Sequence, residues 1–151
     1  MARYFTFAEL VYSATALSKG IDNTPTSTEV KNNLLELIDI LDVIREEWTE
    51  KCEKNNWGTG SIIVTSGYRC NALNKAVGGS KNSSHMLGTA VDLKPKNGRN
   101  MEFFEFIKEY LSDKNFDELI NEKPVRGIPS WVHLGLRSSE GKQRRKVFTI
   151  K

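Results

Sequence analysis

The feature that most constrains the fold of this chain is a long apolar stripe between residues 30 and 48. Apolar residues recur at intervals of three and four, at Val30, Leu34, Leu37, Ile38, Leu41, Ile44 and Trp48. Such spacing places these side chains on one face of an α-helix. Ser27 or Thr28 can cap its start, because a hydroxyl accepts hydrogen bonds from free backbone N–H groups. We predict a helix that runs to about Lys54.

Weaker patterns predict the other elements of one α+β fold. Short helices are expected at residues 5–20 and 71–77, and a second amphipathic helix at 101–111. β-Branched or alternating residues predict strands at 61–66, 89–93, 116–122 and 130–136, with an edge strand in the tail at 144–150. We therefore expect a single domain over residues 1–151, with a small central antiparallel sheet packed with helices.

Composition and charge narrow the class of protein. The apolar content of 38% and the charged content of 27% are ordinary for a soluble globular protein. The net charge of +3 favours approach to an anionic polymer such as a cell wall. The basic cluster formed by Lys142, Arg144, Arg145 and Lys146 has no interleaved aromatic residues. We therefore interpret it as a solvated edge and expect no nucleic-acid partner.

The termini and cysteines indicate where such a chain works. Glu9 interrupts the N-terminal apolar residues early, and no segment is long enough to cross a bilayer. We expect a protein made in the cytoplasm without a signal peptide and without membrane insertion. Cys52 and Cys70 are too few for a disulfide framework, so we expect reduced thiols.

The only two histidines lie in surroundings that suit a metal site. His85 lies in S-S-H-M-L-G-T-A-V-D and His133 in S-W-V-H-L. Asp92 follows His85 by seven residues, so a turn can end and a strand begin between them. Two imidazoles and one carboxylate leave a fourth tetrahedral position for water, as in catalytic zinc sites. We predict one zinc ion bound by His85, Asp92 and His133; the alternative is two hydrogen-bonded structural histidines and no metal.

Three motifs give the chain a specific resemblance. S-G-Y-R at 66–69, S-x-H-x-x-G-x-A-x-D at 83–92 and W-x-H at 131–133 resemble the zinc D-Ala-D-Ala peptidase family. That family includes bacterial carboxypeptidases, VanX-type dipeptidases and phage L-alanoyl-D-glutamate endopeptidases, and the Hedgehog signalling domain shares its fold. The resemblance covers most of the chain. The opening F-T-F-A-E-L and the A-L-N-x-A-V-G-G-S stretch are most similar to a compact branch common in phages and prophages.

The resemblance also implies roles for individual residues. His85, Asp92 and His133 would bind zinc, and Arg69 would face substrate or transition-state oxygens. Ser83 would hydrogen-bond the substrate backbone, although a loop serine can equally cap its own backbone. For other residues the structural alternatives also stay open: Arg69 as a surface arginine that closes a strand, and Trp131 as a core residue rather than a wall of the site.

The chain departs from its relatives at the general base. Many relatives have a glutamate or aspartate three residues before the second histidine, but here that position is Ser130. The nearest carboxylates are in F-D-E-L-I-N-E, at Asp117, Glu118 and Glu122. If that strand pairs with residues 130–136, an acid on its face could reach the site. We predict Glu122 as the base, with Glu118 second.

The resemblance, together with the predicted metal site, implies a zinc metallopeptidase that cleaves the peptide stems of peptidoglycan. A D-Ala-D-Ala carboxypeptidase and an L,D-endopeptidase would share every residue named, so the sequence does not separate them. We expect a monomeric phage or prophage protein, such as an endolysin, that acts at the bacterial cell wall. The alternative is a non-catalytic, zinc-containing wall-binding or virion structural module of the same fold, which the absent acid at Ser130 supports.

Overall fold

The computed structural model describes residues 3–151, so the first two residues of the predicted domain lie outside the described residues. Along the chain its elements are α1 (Phe7–Val11), α2 (Ala14–Lys19), α3 (Thr28–Asn55), β1 (Ile62–Ser66), α4 (Asn71–Ala76), β2 (Ala90–Pro95), α5 (Asn100–Tyr110), β3 (Glu118–Glu122), β4 (Trp131–Gly135) and β5 (Lys146–Ile150). Single turns of 3-10 helix lie at Ser84–Leu87 and Leu111–Asp113. The α+β class is confirmed.

The strands form one five-stranded sheet in the order β1-β2-β4-β3-β5. The pairs β1–β2, β2–β4 and β4–β3 are antiparallel, but β5 runs parallel to β3. The predicted antiparallel sheet is confirmed for the first four of these strands, and the edge strand expected in the tail runs parallel to its neighbour. The reason is the path of the chain: β4 ends at Gly135 beside Glu118, where β3 begins. The residues after Gly135 cross the same end of the sheet, so β5 begins at Lys146, also beside Glu118, and runs in the same direction as β3.

One face of the sheet packs on the helices and holds the core. Its central strands contribute Val91, Leu93, Val132, Leu134 and Leu119, all with no exposed surface. The predicted stripe of α3 packs against this face, and the helix begins at the Ser27 cap as expected. The ring of Trp48 meets Phe103 of α5 edge-on at 5.2 Å between centroids. The other face of the sheet carries the polar side chains of Asp92 and His133 beside the apolar Ile120.

The N-terminal segment differs from its prediction of one helix at residues 5–20. It forms two short helices, because Ser13 caps a new helix after Tyr12 leaves the first in an extended conformation. The hydroxyl of Ser13 accepts a hydrogen bond from Ala16 N at 3.1 Å. The predicted end at Gly20 is correct: this residue has φ +66°, which glycine adopts without strain.

Two further observations concern the described part of the chain. Cys52 is buried and Cys70 is partly exposed, and both are free thiols. None of the helices within residues 3–151 combines the length and the apolar character needed to span a bilayer.

Adjacent leucines on α3 test the assignment of the buried stripe. Leu34 is fully buried, whereas Leu35 is 53% exposed. We expect Leu34→Ala to lower the free energy of unfolding by about 2–5 kcal/mol, because it removes buried methyl groups and leaves a cavity. The control Leu35→Ala should change it by less than about 0.5 kcal/mol. Urea denaturation measures both, and equal effects would contradict the packing of α3.

Candidate metal centre

Two neighbouring strands and one turn bring the three predicted ligands together. β2 and β4 pair so that Asp92 lies directly opposite His133. His85 belongs to the 3-10 turn just before β2, which Ser83 caps and Gly88 ends with φ +73°. All three residues are buried, and one potential ligand atom from each lies within 4.8 Å of the others. The structure therefore assembles the trio that the sequence predicts.

Hydrogen bonds fix which ring nitrogen of His85 is available to a metal. Its Nδ1 lies 2.8 Å from the carbonyl oxygen of Gly67. A carbonyl can only accept a hydrogen bond, so Nδ1 carries a hydrogen and Nε2 is the nitrogen left for a metal. Nε2 is 3.5 Å from Oδ2 of Asp92. A backbone carbonyl that orients a histidine in this way is a common outer partner in metal sites.

His133 presents Nδ1, rather than Nε2, to the same carboxylate of Asp92. Its Nδ1 lies 2.9 Å from Oδ1 of Asp92, and its Nε2 lies 3.3 Å from Oε1 of Glu118. The candidate ligand atoms are therefore Nε2 of His85, a carboxylate oxygen of Asp92 and Nδ1 of His133. These are nitrogen and oxygen donors of the kind that bind zinc, and three of them leave room for a fourth ligand.

Gly67, in the S-G-Y-R motif, has a role that sequence reasoning missed. A Cβ built at this position would lie 2.2 Å from the carbonyl oxygen of Leu10, so only glycine fits. That approach lets Tyr68 N donate to the same Leu10 oxygen at 2.7 Å. The close contact holds the backbone that offers its carbonyl to His85.

The ionisation of the trio follows from its contacts. Burial alone would raise the pKa of Asp92, but hydrogen bonds from His133 and His85 hold it well below its usual value. Burial alone would lower the pKa of His133, but Asp92 and Glu118 outweigh this and raise it to about 9. Without metal, His133 is therefore an imidazolium at neutral pH. A metal ion would replace its Nδ1 proton.

A cleft of about 630 Å³ opens over these residues and contains the other predicted site residues: Arg69, Ser83, Glu118, Glu122 and Trp131. Nη2 of Arg69 donates to Oγ of Ser83 at 3.2 Å, and Nε of Arg69 is buried without a partner within residues 3–151. Ser83 Oγ also accepts from His85 N at 3.2 Å, so the structural role considered for this serine is present. Trp131 is half-buried at the cleft and is not a core residue.

The two candidate bases both lie on the cleft side of β3. Glu118 and Glu122 share this face, and β3 pairs with β4 as predicted. Burial and the negative charge of Asp92 raise the pKa of Glu122. Ser130 donates its hydroxyl to Lys123 O at 2.6 Å. The backbone N–H of Ser130 donates to Glu122 O at 3.0 Å. Glu122 therefore lies beside position 130, where many relatives have an acidic residue.

The geometry agrees with what comparison with protein families finds. The family model for Peptidase M15 matches residues 3–134. The chain belongs to the peptidase M15 family. Members of this family are metallopeptidases and typically depend on zinc. The residues of this M15 peptidase fit that ion, because each histidine has one nitrogen near Asp92 and the other near a further oxygen, Gly67 O for His85 and Glu118 Oε1 for His133. No curated protein matches the chain.

Part of the cleft comes from residues after position 134, where the family match ends. Lys142, Arg144 and Ile150 all line it. Arg144 is not simply part of a solvated edge, because its Nε and Nη2 bind the buried carboxylate of Asp117 at 2.8 and 2.9 Å. Asp117 is thereby occupied and unsuited to act as a base. No local pattern marks this pair, since 27 residues separate its members.

The Asp117–Arg144 pair predicts how stability depends on pH. Burial alone would raise the pKa of Asp117, but the hydrogen bonds from Arg144 outweigh it and lower the pKa. Their stabilisation is therefore present above the unfolded pKa of about 3.9 and is lost as pH falls toward the lower folded value. We expect Arg144→Ala to have a lower Tm than wild type at pH 7, with a gap that narrows below about pH 4.

Thermal unfolding in the presence of a chelator measures this difference. Lys142→Ala is the matched control, because Lys142 is exposed and its side chain forms an ion pair with the exposed Glu140, at 3.6 Å, rather than with Asp117. A gap between wild type and Arg144→Ala that stays constant from pH 7 to pH 3 would contradict the assignment.

Proposed function

We propose that this M15 peptidase hydrolyses an amide bond in the peptide stems of bacterial peptidoglycan. The observation that carries the proposal is the convergence of His85, Asp92 and His133 at the base of an open polar cleft. The resemblance of the S-x-H-x-x-G-x-A-x-D motif to wall-peptide hydrolases supports this substrate. The proposal places the protein at the bacterial cell wall, as a phage or prophage enzyme of the endolysin kind.

Each cleft residue has a chemical task in this proposal. His85, Asp92 and His133 would hold the zinc ion, which would supply a Lewis acid for activation of water and polarisation of a carbonyl. Arg69 donates to the oxygen of the scissile carbonyl, because its buried Nε has no hydrogen-bond partner in the part of the chain that the structure describes and is available to donate. Ser83 Oγ already accepts two hydrogen bonds, so its own hydrogen is free for a substrate carbonyl. Trp131 forms an apolar wall.

Glu122 is the proposed general base. It accepts a proton from the attacking water and returns it to the leaving amine. Its raised pKa suits a group that must take up a proton and release it again. Its backbone oxygen accepts a hydrogen bond from Ser130 N–H, so Glu122 lies next to position 130. In this proposal Glu122 acts as the base in place of the acid that many relatives have at position 130.

The base assignment is tested with Glu122→Gln. We expect turnover to fall by about 10²–10⁴-fold while zinc affinity is kept, because the amide preserves shape but accepts no proton. Timed hydrolysis of a stem peptide measures the turnover rate, and competition with a chelator measures the affinity for zinc. The control Glu105→Gln makes the same change at an exposed residue of α5. Full activity in Glu122→Gln would assign the role to another group.

The substrate is tested by release of amines from purified peptidoglycan. We expect zinc-dependent release by wild type and none by His133→Ala, which lacks one ligand. Mass spectrometry of the fragments separates the two reactions: free D-alanine indicates a carboxypeptidase, and a cut within the stem indicates an endopeptidase. Walls of several chemotypes serve as substrates, and a zinc-loaded protein that cleaves none of them contradicts the proposal.

A second candidate is a wall-binding or virion structural module without turnover. The observation that favours it is Ser130, whose hydroxyl bonds Lys123 O and offers no base. Such a module would bind zinc and sediment with insoluble peptidoglycan, yet release no amine at any metal loading. The same assay therefore separates the two candidates.

A further inference from the structure

Glu118 differs from Glu122 in its contacts. Its Oε1 lies 3.3 Å from Nε2 of His133, the ring nitrogen that faces away from Asp92. Its Oε2 lies 3.5 Å from Nη2 of Arg144. In an imidazole the two nitrogens diverge, so a carboxylate in contact with Nε2 is remote from a ligand bound at Nδ1. This position does not suit a base that acts on water at the metal.

The contact on Nε2 answers a need of the buried ring. The side chain of His133 is only 10% exposed, and Nε2 has no aligned hydrogen-bond partner among the described residues. A buried N–H left without an acceptor is costly, so this nitrogen requires one. The Glu118 carboxylate lies within ion-pair distance of Nε2. Because the carboxylate is charged, it is a stronger hydrogen-bond acceptor than a neutral group.

Gly135 gives Glu118 the room to lie there. It pairs directly with Glu118 across β3 and β4, two residues along the strand from His133. A Cβ at this position would lie 3.3 Å from Cγ of Glu118 and 3.5 Å from Nε2 of His133. The first distance is tighter than a usual contact and the second is ordinary, so a side chain here would require Glu118 to shift by a few tenths of an ångström.

We propose that Glu118 is a positioning residue: its carboxylate holds the Nε2 hydrogen of His133, which directs Nδ1 to the metal, while Arg144 holds Glu118. The inference rests on the proposed function only in requiring that the trio bind zinc. The chain Asp117–Arg144–Glu118–His133 then connects a buried ion pair to a ligand. Carboxylates in such outer contacts raise metal affinity about 10–100-fold.

Zinc affinity, measured by chelator competition, is the first test. We expect Glu118→Ala to bind zinc about 10–100-fold more weakly than wild type. Glu118→Gln should recover part of this loss, because the amide oxygen still accepts from Nε2–H. Gly135→Ala, which keeps the glutamate but crowds it, should also bind zinc more weakly. The matched control is Glu122→Gln, on the same face of β3, which should keep wild-type affinity.

The state of the rings is the second test and does not depend on activity. Because the chain has only two histidines, ¹⁵N spectra of the zinc-loaded protein resolve both. We expect His85 to carry Nδ1–H and His133 to carry a slowly exchanging Nε2–H. In Glu118→Ala the His133 hydrogen should exchange faster. A structural defect alone would lower Tm without this selective change at His133.

Each other result has a defined meaning. Wild-type affinity and slow exchange in Glu118→Ala would overturn the positioning role. A Glu118→Gln variant with unchanged affinity and lost turnover would also overturn it and identify Glu118 as the base. If wild type binds zinc but cleaves no stems, the proposed function fails while the affinity series still decides this inference. A wild type that binds no zinc overturns both.

Discussion

The antiparallel pairing of β2 with β4 is the constraint on which the rest of the site depends. It sets Asp92 opposite His133 on one face of the sheet and turns Val91 and Leu134 to the other. A slip of one residue in one strand would exchange its polar and apolar faces and bury a charged group against α3. Burial of the apolar face thus fixes the register that builds the metal centre.

A second layer of contacts decides how the ligands are presented. Gly67 O orients His85 through Nδ1, and Glu118 contacts His133 through Nε2. His85 thereby offers Nε2 and His133 offers Nδ1 to the same carboxylate, that of Asp92. Both contacts depend on glycines, since Gly67 approaches Leu10 closely and Gly135 lies beneath Glu118. Two glycines therefore help to shape the centre.

Local patterns in the sequence predict much of this structure. The stripe on α3 and the alternation in β2 and β4 depend on neighbours within a few residues, so periodicity is enough to find them. The trio His85, Asp92 and His133 follows from motif and strand alternation together. The sequence does not predict that the N-terminal helix is interrupted before Ser13. A serine that caps a helix cannot be distinguished by sequence alone from a serine inside a helix.

Features that depend on the path of the chain could not be predicted in the same way. The parallel pairing of β5 depends on how residues 136–145 cross the end of β3. Glu118 and Glu122 share one face, so alternation cannot choose between them. What distinguishes them is the residue across the strand, Gly135 for Glu118 and Trp131 for Glu122, and this requires the register.

The most direct test of the central claim is anomalous diffraction at the zinc edge from crystals of the zinc-loaded protein. The expected result is one peak at about 2.0–2.2 Å from Nε2 of His85, an Asp92 oxygen and Nδ1 of His133. Nε2 of His133 should remain on Glu118. A peak elsewhere or no peak would contradict the claim that this sheet face is a metallopeptidase centre, and zinc bound through Nε2 of His133 would contradict the role assigned to Glu118.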